Sequence, residues 1–113
     1  MGRLIRCITT DGCVTAMAVD TTDIVNEAAR LHETSAVISA ALGRLLTAAS
    51  MMGSSLKTDV GSITLRLSAD GPAGSVVAVA DSDGNVRGYA ENPVVEIPLN
   101  PKGKLDVGGA VGH

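Results

Sequence analysis

The chain contains no tryptophan, no phenylalanine and a single tyrosine, although 45% of its 113 residues are apolar. Its core must therefore be built from aliphatic side chains and methionine, without the rigid aromatic residues that dominate many interiors. Basic residues are also few: the formal net charge is −3, and the arginines and lysines are not interleaved with the aromatic side chains on which bases stack. This composition gives no basis for nucleic-acid binding.

The sequence also offers little to suggest export or membrane insertion. Its amino terminus, Met1 to Arg6, becomes polar too soon for the apolar core of a secretory signal. Residues 36–56 are long enough to compete as a membrane helix, but Ser39, Arg44 and Ser50 dilute their apolar character. We therefore expect a cytoplasmic protein with no membrane segment, folded as a single domain over residues 1–113.

An Asp-Gly turn near the amino terminus separates two short runs of apolar and β-branched residues, 3–9 and 13–20. This pattern predicts a β-hairpin. Neither of its faces carries the charge of a solvated surface, so we expect both faces to be partly covered.

Two cysteines, Cys7 and Cys13, flank that turn. If Asp11 and Gly12 form a two-residue loop, Cys7 pairs with Ala16 and the two sulfur atoms point to opposite faces of the hairpin. We then expect no disulfide between the cysteines and no metal shared by them. A three-residue loop would instead place both on one face.

Two helices are predicted after the hairpin. Thr21-Thr22-Asp23 supplies N-cap candidates for an amphipathic helix that ends between His32 and Thr34. The second helix, capped by Thr34 or Ser35, runs over residues 36–56. Because small and apolar side chains lie all the way round it, we expect a helix enclosed by protein on most sides.

Beyond residue 59 the spacing of apolar residues changes from a helical period to a period of two. This change predicts strands at 63–67, 75–80 and 86–90. Short turns separate these strands, so they should form an antiparallel meander. Prolines after Asn92 exclude a central strand, so residues 94–99 can form at most an edge strand. The glycine-rich end, 107–113, shows no closing element, and we expect the chain to stop in mid-fold.

Few residues could carry covalent chemistry. His32 and His113 have no evident catalytic partner, and the serines at 54–55 near Lys57 lack an orienting acid. We therefore predict no catalytic residues and no enzymatic activity.

Ligand-binding patterns are equally sparse. Asp81 and Asp83 resemble the start of a calcium loop, but the later ligands are missing, so an Asp-rich turn is predicted. The glycine-rich segment 108–112 has no helix after it to present to a phosphate, which argues against a nucleotide site.

Apolar surface is the remaining functional feature, since an aliphatic sheet that is partly uncovered can hold unfolded segments without sequence specificity. Packing against the buried helix is the competing interpretation for every candidate, and at most one face of each strand can be free. The candidate contact residues alternate along two predicted strands: Ile63, Leu65, Leu67, Val77 and Val79.

Several segments in one unbroken order resemble the heat-shock protein 33 family, which consists of redox-regulated holdase chaperones of the bacterial cytosol. The likeness spans nearly the whole chain and corresponds to the amino-terminal part of a family member. Its segments are Thr21-Thr22-Asp23-Ile24-Val25-Asn26-Glu27, Ala40-Ala41-Leu42-Gly43-Arg44 with Thr47-Ala48, Met51-Met52, Leu56-Lys57, Gly71-Pro72 with Gly74, Gly84 with Val86-Arg87, Asn92-Pro93, and Gly103-Lys104-Leu105-Asp106-Val107 before Ala110-Val111-Gly112.

The resemblance implies an α+β fold with β/α/β layers, a buried central helix and antiparallel sheets, incomplete at the carboxyl terminus. It also implies ATP-independent binding of unfolded client proteins and assembly as a homo-oligomer, most simply a dimer. The structural alternative is a fragment that only completes a fold by oligomerisation, for example by domain swapping.

The resemblance also concerns the redox switch. Family members hold zinc, when reduced, with four cysteines in a Cys-x-Cys and a Cys-x-x-Cys pair near the carboxyl terminus. Neither pair is present here, and Cys7 and Cys13 match neither motif. We therefore expect no metal site and no cofactor in this chain, and no zinc-dependent switch.

Overall fold

The computed structural model describes residues 3–13, 15–54, 61–68, 70–83 and 85–112. Within them the elements follow in the order β1 (Arg3–Ile8), β2 (Thr15–Asp20), α1 (Thr22–His32), α2 (Ala36–Ser54), β3 (Ser62–Leu67), β4 (Val76–Asp81), β5 (Val86–Ala90) and α3 (Val107–Val111). The strands form two antiparallel sheets, β1-β2 and β3-β4-β5. The predicted α+β class and the predicted meander are therefore confirmed.

The core lies between α2 and the sheet β3-β4-β5. Ile38, Leu42 and Leu46 on one side of α2 are at most 1% exposed, and they pack with the inward side chains of β4. β4 alternates strictly between buried and half-buried residues, as a strand with one face on a core should. Near the end of α2, a Cβ atom added to Gly53 would lie only 2.8 Å from the Cβ of Ala80. Small residues thus let the helix lie close to the sheet.

The opposite side of α2 is more open than the sequence predicts. Arg44 and Met52 are exposed, and Ala40 and Ala48 are half-buried. The expectation of a helix enclosed on most sides is therefore correct for the side under the sheet. It is wrong for the other side, because the described residues place only α1 and part of the hairpin there. The helix is described to Ser54, and its predicted end near residue 56 lies outside the described residues.

The hairpin β1-β2 has the predicted register, with Cys7 opposite Ala16. Its strands stop at Ile8 and Thr15, so the connection is longer than the two-residue loop considered above. The expected partial cover is found on the face of Leu4 and Val19, which are half-buried, although Ile8 at its end is 65% exposed; it is wrong for the other face, where Ile5 is 57% exposed. Among the described residues, nothing packs over most of the hairpin.

Helix α1 begins and ends close to the predicted residues. Thr21 precedes it, but the Thr21 hydroxyl lies 2.6 Å from the hydroxyl of Thr47 and caps no backbone group. The carboxylate of Asp20 instead accepts a 3.0 Å hydrogen bond from the backbone N–H of Thr22. At the other end Glu33 adopts the left-handed conformation, φ 50°, and its N–H bonds to Ala29.

The segment after β5 is irregular, as its prolines predict. It is held to the start of α2, since the Ser35 hydroxyl accepts a 2.9 Å hydrogen bond from the N–H of Val95, and the N–H of Ser35 donates to the carbonyl of Pro93. Ser35 therefore ties the two segments together. Val95 itself is buried.

The glycine-rich end closes onto the molecule, which corrects the prediction that it has no closing element. Val107–Val111 form the short helix α3, and the carboxylate of Asp106 accepts a hydrogen bond from the N–H of Gly109 at 3.0 Å. The carbonyls of Ala110 and Val111 accept hydrogen bonds from the turn before β4, at 2.8 and 2.9 Å. Sequence periodicity missed α3 because five residues are too few to show a helical period. His113 lies outside the described residues.

Candidate functional site

The five strand residues chosen from sequence do not share one face of the sheet. Ile63 lies opposite Ala80, Leu65 opposite Ala78 and Leu67 opposite Val76. Residues directly opposite each other in a sheet point to the same side, so these three belong to the side that faces α2. Ile63 and Leu65 pack against the core, while Leu67 at the end of β3 remains 40% exposed. For Ile63 and Leu65, the packing interpretation agrees with the structure.

Val77 and Val79 point to the outer side of the same sheet and are half-buried. Their neighbours across the strands are Arg66, Arg87, Thr64 and Tyr89. Among these, Tyr89 is 52% exposed. The outer side of the sheet is therefore a mixture of aliphatic, cationic and aromatic groups, not the continuous aliphatic surface that the alternating pattern suggested.

A more uniform apolar surface lies on the outer face of the hairpin. The other face is turned toward α2, because the guanidinium of Arg6 donates to the carbonyl of Ser54 and the Ser54 hydroxyl lies 3.7 Å from the sulfur of Met17. The outer face carries no charge over four exposed residues: Ile5, Cys7, Ala16 and Ala18. Sequence analysis missed this surface because an apolar pattern on both faces predicts burial of both.

The uncovered side of α2 forms a shallow groove of about 410 Å³. The close approach of α1 makes one wall, since a Cβ atom on Gly43 would come within 2.8 Å of the Val25 side chain. The residues that line it are mostly small: Val25, Ser39, Ala40, Gly43, Arg44, Thr47, Ala48 and Met51.

A second groove, which we call the α1–β5 groove, has a volume of about 340 Å³ and lies between α1 and the edge of the larger sheet. Its walls are the apolar side of α1 and the strand β5, and Leu46 of α2 reaches into it. The lining residues are Asp23, Ile24, Glu27, Ala28, Leu31, His32, Leu46, Val86, Arg87 and Gly88. The helical spacing of Ile24, Ala28 and Leu31 was visible in sequence, whereas the neighbouring strand edge was not.

Two carboxylates have pKa values set by local hydrogen bonds. The hydroxyl of Thr9, 2.5 Å away, and then the backbone N–H of Cys13 lower the pKa of Asp11. The pKa of Glu27 is lowered chiefly by the hydrogen bond from Arg30, also 2.5 Å long. Both residues are exposed, so these shifts report surface pairing and not a catalytic environment.

Of the residues weighed for chemistry, Ser55, Lys57 and His113 lie outside the described residues. Cys7 and Cys13 are free and exposed, and no three His, Cys, Asp or Glu side chains of the described ranges converge as metal ligands. Asp81 accepts hydrogen bonds from the backbone N–H groups of Asp83 and Asn85, at 2.9 and 3.0 Å, which is the geometry of an Asp-rich turn. The two grooves and the uncharged outer face of the hairpin suit noncovalent capture of apolar groups.

Among the described helices, α2 alone is long and apolar enough to cross a membrane, by length and composition only. In the structure, however, 44% of its apolar window is buried within the protein. Core helices of globular proteins meet the same criteria, and the packing of α2 beneath β3-β4-β5 accounts for its apolar character.

Comparison with known proteins finds one family and its members. The family model described as "Hsp33 protein" matches residues 2–113. Among curated proteins, the 33 kDa chaperonin of Acetivibrio thermocellus is 46% identical over 97% of this chain and 37% of its own length, and that of Oceanobacillus iheyensis is 50% identical over 96% of this chain and 37% of its own length.

A solved structure agrees with these matches. The crystal structure of the 33 kDa chaperonin (heat shock protein 33 homologue) from Thermotoga maritima superposes with a TM-score of 0.91 at 38% identity, covering 96% of this chain and 37% of the other. The chain therefore spans well under half the length of the relatives it matches.

Proposed function

Because the chain belongs to the Hsp33 protein family, we propose that it is an ATP-independent holdase core that binds unfolded proteins noncovalently. The observation that carries this proposal is the coexistence of a well-packed core with apolar surface that stays exposed. Ile38 is fully buried, whereas Ile5 and Leu31 are 57% and 62% exposed. Such surface can bind non-native segments through the hydrophobic effect without unfolding of the core.

We propose that this binding is constitutive in the 113-residue chain. The zinc-thiolate switch implied by the family needs paired cysteines, and Cys7 and Cys13 do not fit that group: both are exposed, six residues apart in sequence, and belong to neither motif. No step of the proposed activity therefore involves zinc or a disulfide between these two residues, and no catalysis is proposed.

We further propose that the chain acts in the cytoplasm, as a single domain that assembles into a homo-oligomer, most simply a dimer. The two-stranded sheet supports the oligomer, since two strands alone are marginally stable in water and both of their outer edges can recruit further strands. We propose no nucleic-acid or membrane partner, in keeping with the net charge of −3 and the packing of α2.

The same hairpin supports an alternative in which the chain is only a structural fragment that completes its fold by domain-swapped oligomerisation. In that case the exposed faces of β1 and β2 become an interface between copies. They would then be unavailable to clients.

The test is the aggregation of reduced α-lactalbumin, followed by light scattering with and without the chain. A holdase core suppresses the aggregation without ATP and without oxidant, in proportion to its concentration. Light scattering of the chain alone, at rising concentration, gives its oligomeric state in parallel. Failure to suppress aggregation by a folded oligomer would favour the structural alternative and contradict the holdase proposal.

A further inference from the structure

The first three elements of the chain lie along one side of α2. The hairpin meets Ser54 at the end of α2, the hydroxyl of Thr21 meets that of Thr47, and the side chain of Val25 lies against Gly43. Later residues of these elements thus contact earlier residues of α2, so the two segments run in opposite directions. We call β1, β2 and α1 together the amino-terminal arm.

The contacts between the arm and α2 are small and partly polar. Two hydroxyl oxygens lie 2.6 Å apart at one contact, and a valine packs on a glycine at the next. The apolar residues that α1 adds, Ile24 and Ala28, are half-buried, whereas Ile38 and Leu42 under the larger sheet are at most 1% exposed. A hydroxyl pair is exchanged for bonds to water at a small net cost. The arm should therefore separate from α2 at a lower free energy than the sheet does.

The chain has a hinge directly after α1. Glu33 adopts the left-handed conformation, with φ 50°, which a residue with a Cβ atom adopts at an energetic cost. Two residues later the chain is fixed, because Ser35 donates its N–H to the carbonyl of Pro93 and accepts a hydrogen bond from the N–H of Val95. Rotation of Glu33 into the extended region removes that cost and turns α1 away from α2, while α2 stays in place.

The arm covers one large side chain of the core. Leu46 is only 1% exposed, although it reaches the α1–β5 groove, where Ile24 and Ala28 of α1 lie beside it. On its other side Leu46 packs on β5, since a Cβ atom added to Gly88 would lie 3.0 Å from the Cδ2 atom of the leucine. Separation of α1 would therefore leave Leu46 seated on the sheet and expose it to solvent.

We propose that the amino-terminal arm is a lid that opens about Glu33, and that the open form binds aliphatic segments of unfolded proteins at Leu46. The inference rests on the proposed chaperone function and adds to it a site and an internal competitor. The competitor is α1, because its Ile24 and Ala28 occupy the site in the closed form, which shows that aliphatic side chains fit there. Opening requires no oxidant, so binding stays constitutive, and its apparent affinity falls in proportion to the fraction of chains that are open.

The direct test locks the lid with an engineered disulfide. A Cβ atom on Gly43 would lie 3.6 Å from the Cβ atom of Val25, and disulfides join Cβ atoms that are about 3.5–4.5 Å apart. The variant carries Val25→Cys and Gly43→Cys in a chain whose own cysteines are replaced, Cys7→Ser and Cys13→Ser. The oxidised and reduced forms of this variant differ by a single bond, so each is the control for the other.

The client for this test is citrate synthase diluted from guanidinium chloride, because its unfolding needs no reductant. Light scattering follows its aggregation in the presence of each form. Since the locked lid cannot open, the oxidised form should need at least about tenfold more protein for the same suppression. Reduction with dithiothreitol should restore the activity.

A second variant weakens the closed form. Val25→Ala removes the side chain that packs on Gly43 and keeps a good helix former in α1, and Val25 is not one of the residues that line the α1–β5 groove. Amides of α1 should exchange about fivefold faster, which corresponds to about 1 kcal/mol, and suppression of aggregation should improve. Val77→Ala is the matched control, since Val77 is a half-buried valine on the outer side of the larger sheet; it should leave exchange in α1 unchanged.

The outcomes separate the lid from the chaperone proposal. Equal suppression by the oxidised and reduced forms, both folded by circular dichroism, would overturn the lid and leave the chaperone proposal standing. A reduced form that suppresses no aggregation would contradict the holdase role, and with it the binding of clients at Leu46. Exchange of the α1 amides only through global unfolding, as slow as that of β4, would also overturn the lid.

Discussion

The two sheets of this chain are similarly apolar, yet only one of them is buried against the central helix. Ala78 in β4 is fully buried and Val76 beside it likewise, whereas Ile5 and Ile8 in β1 are 57% and 65% exposed. The larger sheet meets α2 through alanines and through Gly53, so that backbones approach closely and dispersion contacts are numerous. The hairpin touches α2 chiefly through Arg6 and Met17 at Ser54. Burial therefore follows from complementary shape on both partners, and apolar content alone does not produce it.

The contrast between the two sheets predicts the largest difference in stability for two matched isoleucine-to-alanine substitutions. Ile38 is 0% and Ile5 is 57% exposed, so Ile38→Ala leaves a cavity while Ile5→Ala removes atoms that already contact water. We expect Ile38→Ala to lower the free energy of unfolding by about 2–5 kcal/mol and Ile5→Ala by less than about 0.5 kcal/mol. Urea unfolding followed by circular dichroism measures both. Similar losses in the two variants would mean that the hairpin is buried in solution, for instance between copies.

A second comparison concerns the two glycines of α2 that lie at contacts. A Cβ atom on Gly53 would meet the backbone carbonyl of Asp81 at 2.9 Å, while one on Gly43 would meet only the side chain of Val25. Because a sheet backbone cannot move aside and α1 has no buried residue, Gly53→Ala should destabilise by about 1–3 kcal/mol. Gly43→Ala should cost clearly less, because the Val25 side chain can move aside; the gain in helix propensity of about 1 kcal/mol is common to both variants. The reverse order of melting temperatures would contradict the assignment of the rigid contact to the sheet.

The third prediction tests whether the side-chain cap of α3 stabilises the fold. Asp106→Ala removes the acceptor for the N–H of Gly109, and we expect a loss of about 1 kcal/mol of stability. Asp106→Asn keeps an acceptor oxygen and is the control, with a loss of a few tenths of a kcal/mol at most. Chemical denaturation of the two variants checks this difference. Equal stability of both would show that the hydrogen bond from Gly109 to the Asp106 side chain contributes nothing to the stability of the fold.

The smallest effect is expected in the exposed hairpin loop. The Thr9 hydroxyl is the main cause of the lowered pKa of Asp11, so Thr9→Val should raise that pKa toward its ordinary value. Since the folded-state pKa lies below the unfolded one, the bonds to Asp11 stabilise the loop above the unfolded pKa, and this contribution is lost as pH falls through the folded pKa. Carboxyl titration by NMR measures the shift. An unchanged pKa would mean that the loop has another conformation in solution.

Local patterns were enough to predict most of the fold. Neighbouring residues alone show three of the features that predicted it: the period of two in β3, the change of period after α2 and the turn at Asp81. The register of the hairpin is the predicted one, with Cys7 opposite Ala16, although the connection is longer than the two-residue loop from which it was predicted. The helix α3 could not be predicted, because Asp106 caps only five residues and no period is visible over so short a stretch.

The candidate site could be predicted only in part, because it depends on contacts between distant segments. Alternation placed Ile63 and Leu65 on one face of β3, but the sequence does not say which face α2 covers, so they were predicted as contact residues with packing as the alternative. The α1–β5 groove joins Leu31 to Val86 across more than fifty residues of sequence. Composition alone predicts apolar surface somewhere on the molecule; the packing of α1 beside α2 decides where.

The central claim, that α2 and β3-β4-β5 form the packed part of the molecule while the hairpin stays uncovered, is tested most directly by native-state hydrogen exchange. The account predicts that amides of β4 and of α2 near Leu42 exchange only through global unfolding, and that amides of β1 and β2 exchange orders of magnitude faster through local opening. Equal protection of β1 and β4 in the isolated chain would contradict it.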